Sequence, residues 1–223
     1  LPFDLWFSRE FIMFRSILVV LLLVPLVAGC SLFPSPNAAR GVNYYGLDPT
    51  FPSRRQGPPP DLILAVQPLD SASRYEKRIL HRGPDGAVGY HEYDRWVEPP
   101  AEMLSEALIR ALKAAGVSRT VVDGRLVRHP DITLEGCVTR FDQFQRSGPS
   151  GPWLALCELE LVLRREKDAR ILLTVTVNGK FELEVTDGGE LDNAAFVPIM
   201  NAAVSQMLAQ AADAIAKVMP TSK

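Results

Sequence analysis

Three histidines are the first residues to weigh for chemistry, because an imidazole titrates near neutral pH and ligates metals. His81 and His91 flank Gly83-Pro84-Asp85-Gly86, a sequence with the chemistry of a hairpin turn. Such a hairpin brings the two rings across from each other, with Asp85 or Glu92 as a neighbouring carboxylate. No H-E-x-x-H, H-x-x-E-H or C-x-x-C spacing accompanies them, so the reading is that no metal is held. His129 precedes Pro130 in a turn. The serines lack a G-x-S-x-G elbow, and Ser147-Gly148-Pro149-Ser150-Gly151 reads as a hairpin loop. A phosphate cradle is absent as well, since no glycine cluster lies between a strand and a helix with a Lys-Ser or Lys-Thr after it. The chain is therefore expected to be no enzyme and to carry no cofactor.

Cys30 has the best-defined chemical surroundings. It follows Val27-Ala28-Gly29 at the end of the apolar run that starts at Ile17. That run is shorter than the roughly 20 residues a membrane-spanning helix needs, and it closes on small residues rather than on a charged stop. It reads as a cleaved export signal. Small side chains let the extended backbone enter a peptidase cleft, and the thiol is a nucleophile for attachment of a diacylglycerol. The pattern resembles a bacterial lipobox and makes Cys30 the expected lipidation site. Met13-Phe14-Arg15-Ser16 supplies a short positive leader, which places the start of translation at Met13 and the signal within residues 1–29.

The net charge of −2 gives no electrostatic footprint for nucleic acid. Beyond Cys30 only Cys137 and Cys157 remain, too few for a disulfide scaffold. Residues 30–60 contain Pro34, Pro36, Pro49, Pro52 and Pro58-Pro59-Pro60, so they read as an extended tether that holds a domain off a membrane. Within it Tyr44-Tyr45-Gly46-Leu47 is an apolar island that either adds an edge strand or docks on a neighbour.

A folded domain is expected over 61–219. Leu62-Ile63-Leu64-Ala65-Val66 is a short apolar run suited to a strand buried on both faces. The hairpin around Asp85 leads through Arg95-Trp96-Val97-Glu98 to Pro99-Pro100, where a helix starts and runs to Ala115. Pro100 loses no intrahelical hydrogen bond there, Glu102 suits the helix dipole, and Gly116 ends the helix. Residues 117–122 form a strand candidate. Ile132–Phe144, Trp153–Leu163 and Ile171–Val185 alternate with period two and predict an antiparallel meander. A last helix is expected over 191–218, with Phe196, Ile199, Met200, Ala203, Val204, Met207, Leu208, Ala211, Ile215 and Val218 on one face. The order predicts an α+β fold, a two-layer sandwich of one mainly antiparallel sheet with two helices. Cys157 shares its face with leucines, whereas Cys137 alternates onto the other face, so no disulfide joins them.

The lipobox, the tyrosine pair before a proline-rich stretch, the buried first strand and the Arg95-Trp96-Val97-Glu98-Pro99-Pro100 block at a helix start, followed by three strands and a terminal helix, resemble the ABC-type transport auxiliary lipoprotein family of the PqiC/YmbA type. The resemblance implies a fold similar to the N-terminal domain of TolB. It implies an outer-membrane lipoprotein facing the periplasm that works with a permease, an ATPase and an MCE (MlaD-like) protein in moving lipids between membranes. It offers Tyr44, Tyr45, Arg95, Trp96 and Glu98 as partner-binding residues, with a core aromatic at Trp96 and a local Arg95–Glu98 ion pair as the plainer reading. Ser31 is not the aspartate that retains such proteins at the inner membrane, which favours the outer one. A homo-oligomer is conceivable. A lipoprotein regulator of a periplasmic cell-wall synthase and a carrier with its own lipid cavity are the rival readings.

Overall fold

The structure is a computed structural model that describes residues 41–53, 55–146, 151–183 and 192–220. Its spine is β7 (Ile132–Gln145), whose alternating Ile132, Leu134 and Val138 are buried. β8 (Trp153–Arg165) and β9 (Arg170–Leu183) follow it antiparallel and make the meander that the alternation predicts. The opposite edge of β7 is shared by three strands parallel to it. β2 (Ile63–Val66) lies beside its first residues, β3 (Asp70–Ser71) beside its middle and β4 (Arg78–Arg82) beside its end. β6 (Thr120–Asp123) extends the β2 wing in parallel. On the other wing β5 (Val88–Trp96) pairs with β4 as a hairpin, and β1 (Asn43–Tyr45) closes the edge parallel to β5.

The expectation of a mainly antiparallel sheet fails, because five of these pairings are parallel and three antiparallel. Alternation tells which side chains face the core and is silent on the direction of the neighbouring strand. Parallel neighbours need a long crossover, and β2 reaches β6 through the hairpin and the first helix. The burial of Leu64, Ala65 and Val66 is what a strand flanked by β6 and β7 requires.

Both helices lie on one face of the sheet. α1 (Pro100–Ala115) buries Leu104, Ala107, Leu108, Ala111 and Leu112 over β3, β6 and β7. It starts after Pro99 without a side-chain cap, and ends at Gly116 in the left-handed region, φ 66°. There the Gly116 amide donates to Lys113 and the Val117 amide to Leu112, which satisfies carbonyls the helix leaves open. α2 (Asn193–Val218) packs Phe196, Met200, Ala203, Val204, Met207, Leu208, Ala211 and Ile215 over β8 and β9. Asp192 caps it by accepting from the Ala194 amide. Along the free edge of β9, Gln210 accepts from the Asn178 amide and Gln206 from the Lys180 amide, so the helix also covers that edge.

The spacer expected up to residue 60 changes character at β1. Residues 46–53 and 55–60 run as a strap across the helices: Leu47 and Phe51 pack on the core, and the amides of Asp48 and Thr50 donate to Asn201 and Ser205 of α2. The Arg55 amide donates to the Ala115 carbonyl, and the Arg110 guanidinium lies over the Phe51 ring, 5.2 Å from its centroid. A proline-rich stretch cannot build a core of its own, yet a few apolar side chains suffice to lay it on one that exists.

Candidate functional site

Two bulges decide where the polar side chains go. In β5 the four residues from His91 to Asp94 stand opposite Ile79 alone, between the pairs Leu80–Tyr90 and Arg78–Arg95. In β7 Thr139 is the extra residue between Val138 and Arg140. A bulge re-aims the side chains that follow it. Beyond Thr139 the inward positions are therefore Phe141 and Gln143, and both are buried.

Gln143 then becomes the centre of a polar chain. Its Oε1 lies 2.7 Å from His91 Nε2, its Nε2 donates to Asn193 Oδ1, and Asn193 Nδ2 donates to Asp94 Oδ2 at 2.8 Å. Asn43 Nδ2 fills the other Asp94 oxygen at 2.9 Å, and the Tyr45 hydroxyl is also bonded to that carboxylate. Five bonds thus join β1, β5, β7 and the first residue of α2. Partial burial raises the Asp94 carboxyl, but the bonds from Asn43 and Asn193, the nearby His91 and the Tyr45 hydroxyl outweigh it and hold the group below its ordinary value. Burial, and then the charge of Asp94, push the Tyr45 phenol up.

His81 and His91 do meet across the hairpin, ring centroids 4.9 Å apart and edge to face. His81 lies over Gly89, where a β-carbon would overlap the ring. Its Nδ1 is buried without a partner, and burial followed by the repulsion of His91 lowers its pKa. Asp85 is spent inside the turn, accepting from the Ala87 amide, and Glu92 is exposed. Among the described residues no group of three or more His, Cys, Asp or Glu is gathered as a metal would require. The amides and the carboxylate here use their capacity on one another, so the arrangement fastens strands and helix together and presents no activated nucleophile.

The residues of the Tyr44–Glu98 expectation separate into three places. Tyr45 and Trp96 are register partners on the inner face, where Trp96 is 2% exposed and meets Phe141 edge to face at 5.3 Å. Trp96 thus fixes the strand-to-helix corner from within and has no surface to offer a partner. Tyr44 and Arg95 are register partners on the outer face. The Arg95 guanidinium donates to the carbonyls of His91 and Asp94, wrapping the bulge instead of pairing with Glu98. Glu98 stands apart, beside Glu102, Glu106 and Asp123 in a surface groove floored by Val66, Leu69 and Ile109. Cys30 lies outside the described residues. Sequence reasoning missed Gln143, Asn193, Asn43 and Asp94, and the only signal for them is their polarity at positions next to core residues.

The fold and this polar clasp define an α+β domain whose polar interior holds the architecture together. Residues 45–216 match the family described as the ABC-type transport auxiliary lipoprotein component, and the chain belongs to that family. Its structure is similar to protein XCC0632 from Xanthomonas campestris, with a TM-score of 0.68 at 20% identity over 79% of this chain and 97% of that one. A second solved protein, described as uncharacterized, gives a TM-score of 0.52 at 16% identity, again over 79% of this chain and 97% of that one. At these identities the likeness is one of fold. No curated protein matches the sequence.

Proposed function

We propose that this chain is the outer-membrane lipoprotein of an MCE-type ABC transport system. It is acylated at Cys30, faces the periplasm, and serves as a non-catalytic docking subunit for an inner-membrane MCE (MlaD-like) protein with its permease and ATPase, in moving lipids between the two membranes. The family match over residues 45–216 carries the reading, and the small residues before Cys30 support the anchor. Kinship with the TolB N-terminal fold belongs to the same proposal. So does partner contact through Tyr44, Arg95 and Glu98, whereas Tyr45 and Trp96 act by shaping the wing that carries them.

Crosslinking in native envelopes, followed by capture of the tagged lipoprotein and mass spectrometry, tests it. Recovery of an MCE-domain protein is the expected result. Recovery of a cell-wall synthase without any MCE protein overturns the reading in favour of a synthase regulator.

A further inference from the structure

The outer face of the β1–β5 wing has an unusual composition for a surface. Asn43 and Tyr45 point inward to Asp94 and Trp96, so alternation sends Val42 and Tyr44 outward, beside Tyr93, Arg95 and Val97 of the neighbouring strand. Val42 is 44% exposed, Tyr44 62%, Tyr93 36% and Val97 43%. These four are half of the eight exposed large apolar side chains among the described residues, and they lie side by side, Tyr44 and Tyr93 on β1 and β5, Val42 and Val97 one residue beyond a strand end. Arg95 and its register partner Arg78 border them, the latter with its guanidinium over the Tyr90 ring at 4.4 Å. Tyrosines, short aliphatics and arginines are the residue types that favour the boundary between lipid headgroups and acyl chains.

The chain itself says what lies close to this face. Residues 31–41 separate Cys30 from Val42, a stretch that reaches at most about 40 Å when fully extended. A domain of this size has a radius of gyration of roughly 16 Å, so a lipid on Cys30 keeps the β1 edge near the bilayer and leaves the remote side of the molecule out of reach.

We propose that Val42, Tyr44, Tyr93, Arg95 and Val97 form a membrane-contact face that rests on the bilayer to which Cys30 is anchored. This rests on the acylation of Cys30 proposed above, and it reassigns Tyr44 and Arg95 from a protein partner to phospholipid. The protein partner then meets the domain from the sides that point away from the membrane, among which is the groove beside Glu98.

The test uses the full lipidated protein in vesicles of phosphatidylethanolamine and phosphatidylglycerol containing a phospholipid with a photoactivatable acyl chain. Adducts are mapped by mass spectrometry, and the acyl groups on Cys30 are read from the same digest. The expected result is a several-fold excess of adducts on the peptides around Tyr44 and Tyr93–Val97 over those around Leu126 and Ile171, which are also exposed and apolar, more so than Tyr93 and Val97, but lie elsewhere. A Tyr44→Glu, Val97→Glu variant should lose that excess while keeping its lipidated cysteine and its circular dichroism. Uniform labelling, or labelling concentrated at Leu126 and Ile171, on protein with acylated Cys30 overturns the membrane face and leaves the transport reading standing. An unmodified Cys30 overturns both.

Discussion

Gly179 of β9 lies against the main-chain carbonyl of Ala203 in α2, so closely that a β-carbon on the glycine would overlap the oxygen. The next neighbour is Cys157 Sγ, which leaves a side chain nowhere to turn. Small residues on both sides are what allow the helix to sink onto the edge strand and its glutamines to reach the amides beside it.

Gly179→Ala is therefore expected to push the helix off the strand. The colliding group is backbone and cannot rotate away, so the cost is that of overpacking, about 2–3 kcal/mol. Urea unfolding of the domain would show a lower midpoint, with Thr176→Ala on the exposed side of the same strand as a near-neutral control. An unchanged midpoint would mean that α2 is not seated as described.

His81 predicts a pH dependence with a definite sign. Its pKa is lowered in the fold by burial and by His91, so below the ordinary value of 6.5 the unfolded chain binds more protons than the folded one. The contribution is complete above that value and is lost as pH falls toward the lowered one. Comparing urea midpoints at about pH 7.5 and about pH 5.5, the wild type should lose more than a His81→Gln variant. Equal losses would show that another group governs that window.

The two cysteines of the domain differ in reactivity. Burial pushes the Cys157 thiol up to about 12, the Gly179 carbonyl accepting its proton at 3.7 Å. Cys137 is only half-buried and pairs with Glu160 on the opposite face. In a soluble form with Cys30 replaced, a thiol-reactive disulfide reagent near pH 8 should modify Cys137 in the native state and Cys157 only after unfolding, since attack requires an accessible thiolate. Native labelling of Cys157 at a comparable rate would contradict its burial.

Local signals in the sequence suffice for the parts of the fold that depend on one segment at a time. The helix from Pro100 to Ala115 is bounded by a proline that loses nothing and a glycine that accepts φ 66°, and the meeting of His81 with His91 follows from the turn between them. The faces of Cys137 and Cys157 follow from alternation within their own strands. What escapes is whatever depends on an inserted residue or a distant partner. Continued from Ile132 and Leu134, alternation would turn Asp142 inward and Gln143 outward. The bulge at Thr139 reverses both: Gln143 joins the clasp, and Asp142, buried on the other face, is held by Arg82 Nε at 3.0 Å and Arg140 Nε at 3.2 Å. Asp94 reaches Asn193 only because β5 carries its own insertion opposite Ile79. Strand direction escapes for the same reason, since β2, β3 and β4 find β7 through loops that leave no periodic trace.

The glutamine cover on β9 bears on how copies of this chain can and cannot stack. Backbone groups along an open strand invite another strand to continue the ladder, and β9 would be the most dangerous margin, being as long as the spine. Gln206 and Gln210 occupy the amides of Lys180 and Asn178 on that margin, while the margins at β1 and β6 are only three and four residues long. Two of the amides on which a further strand could be laid are thus already taken.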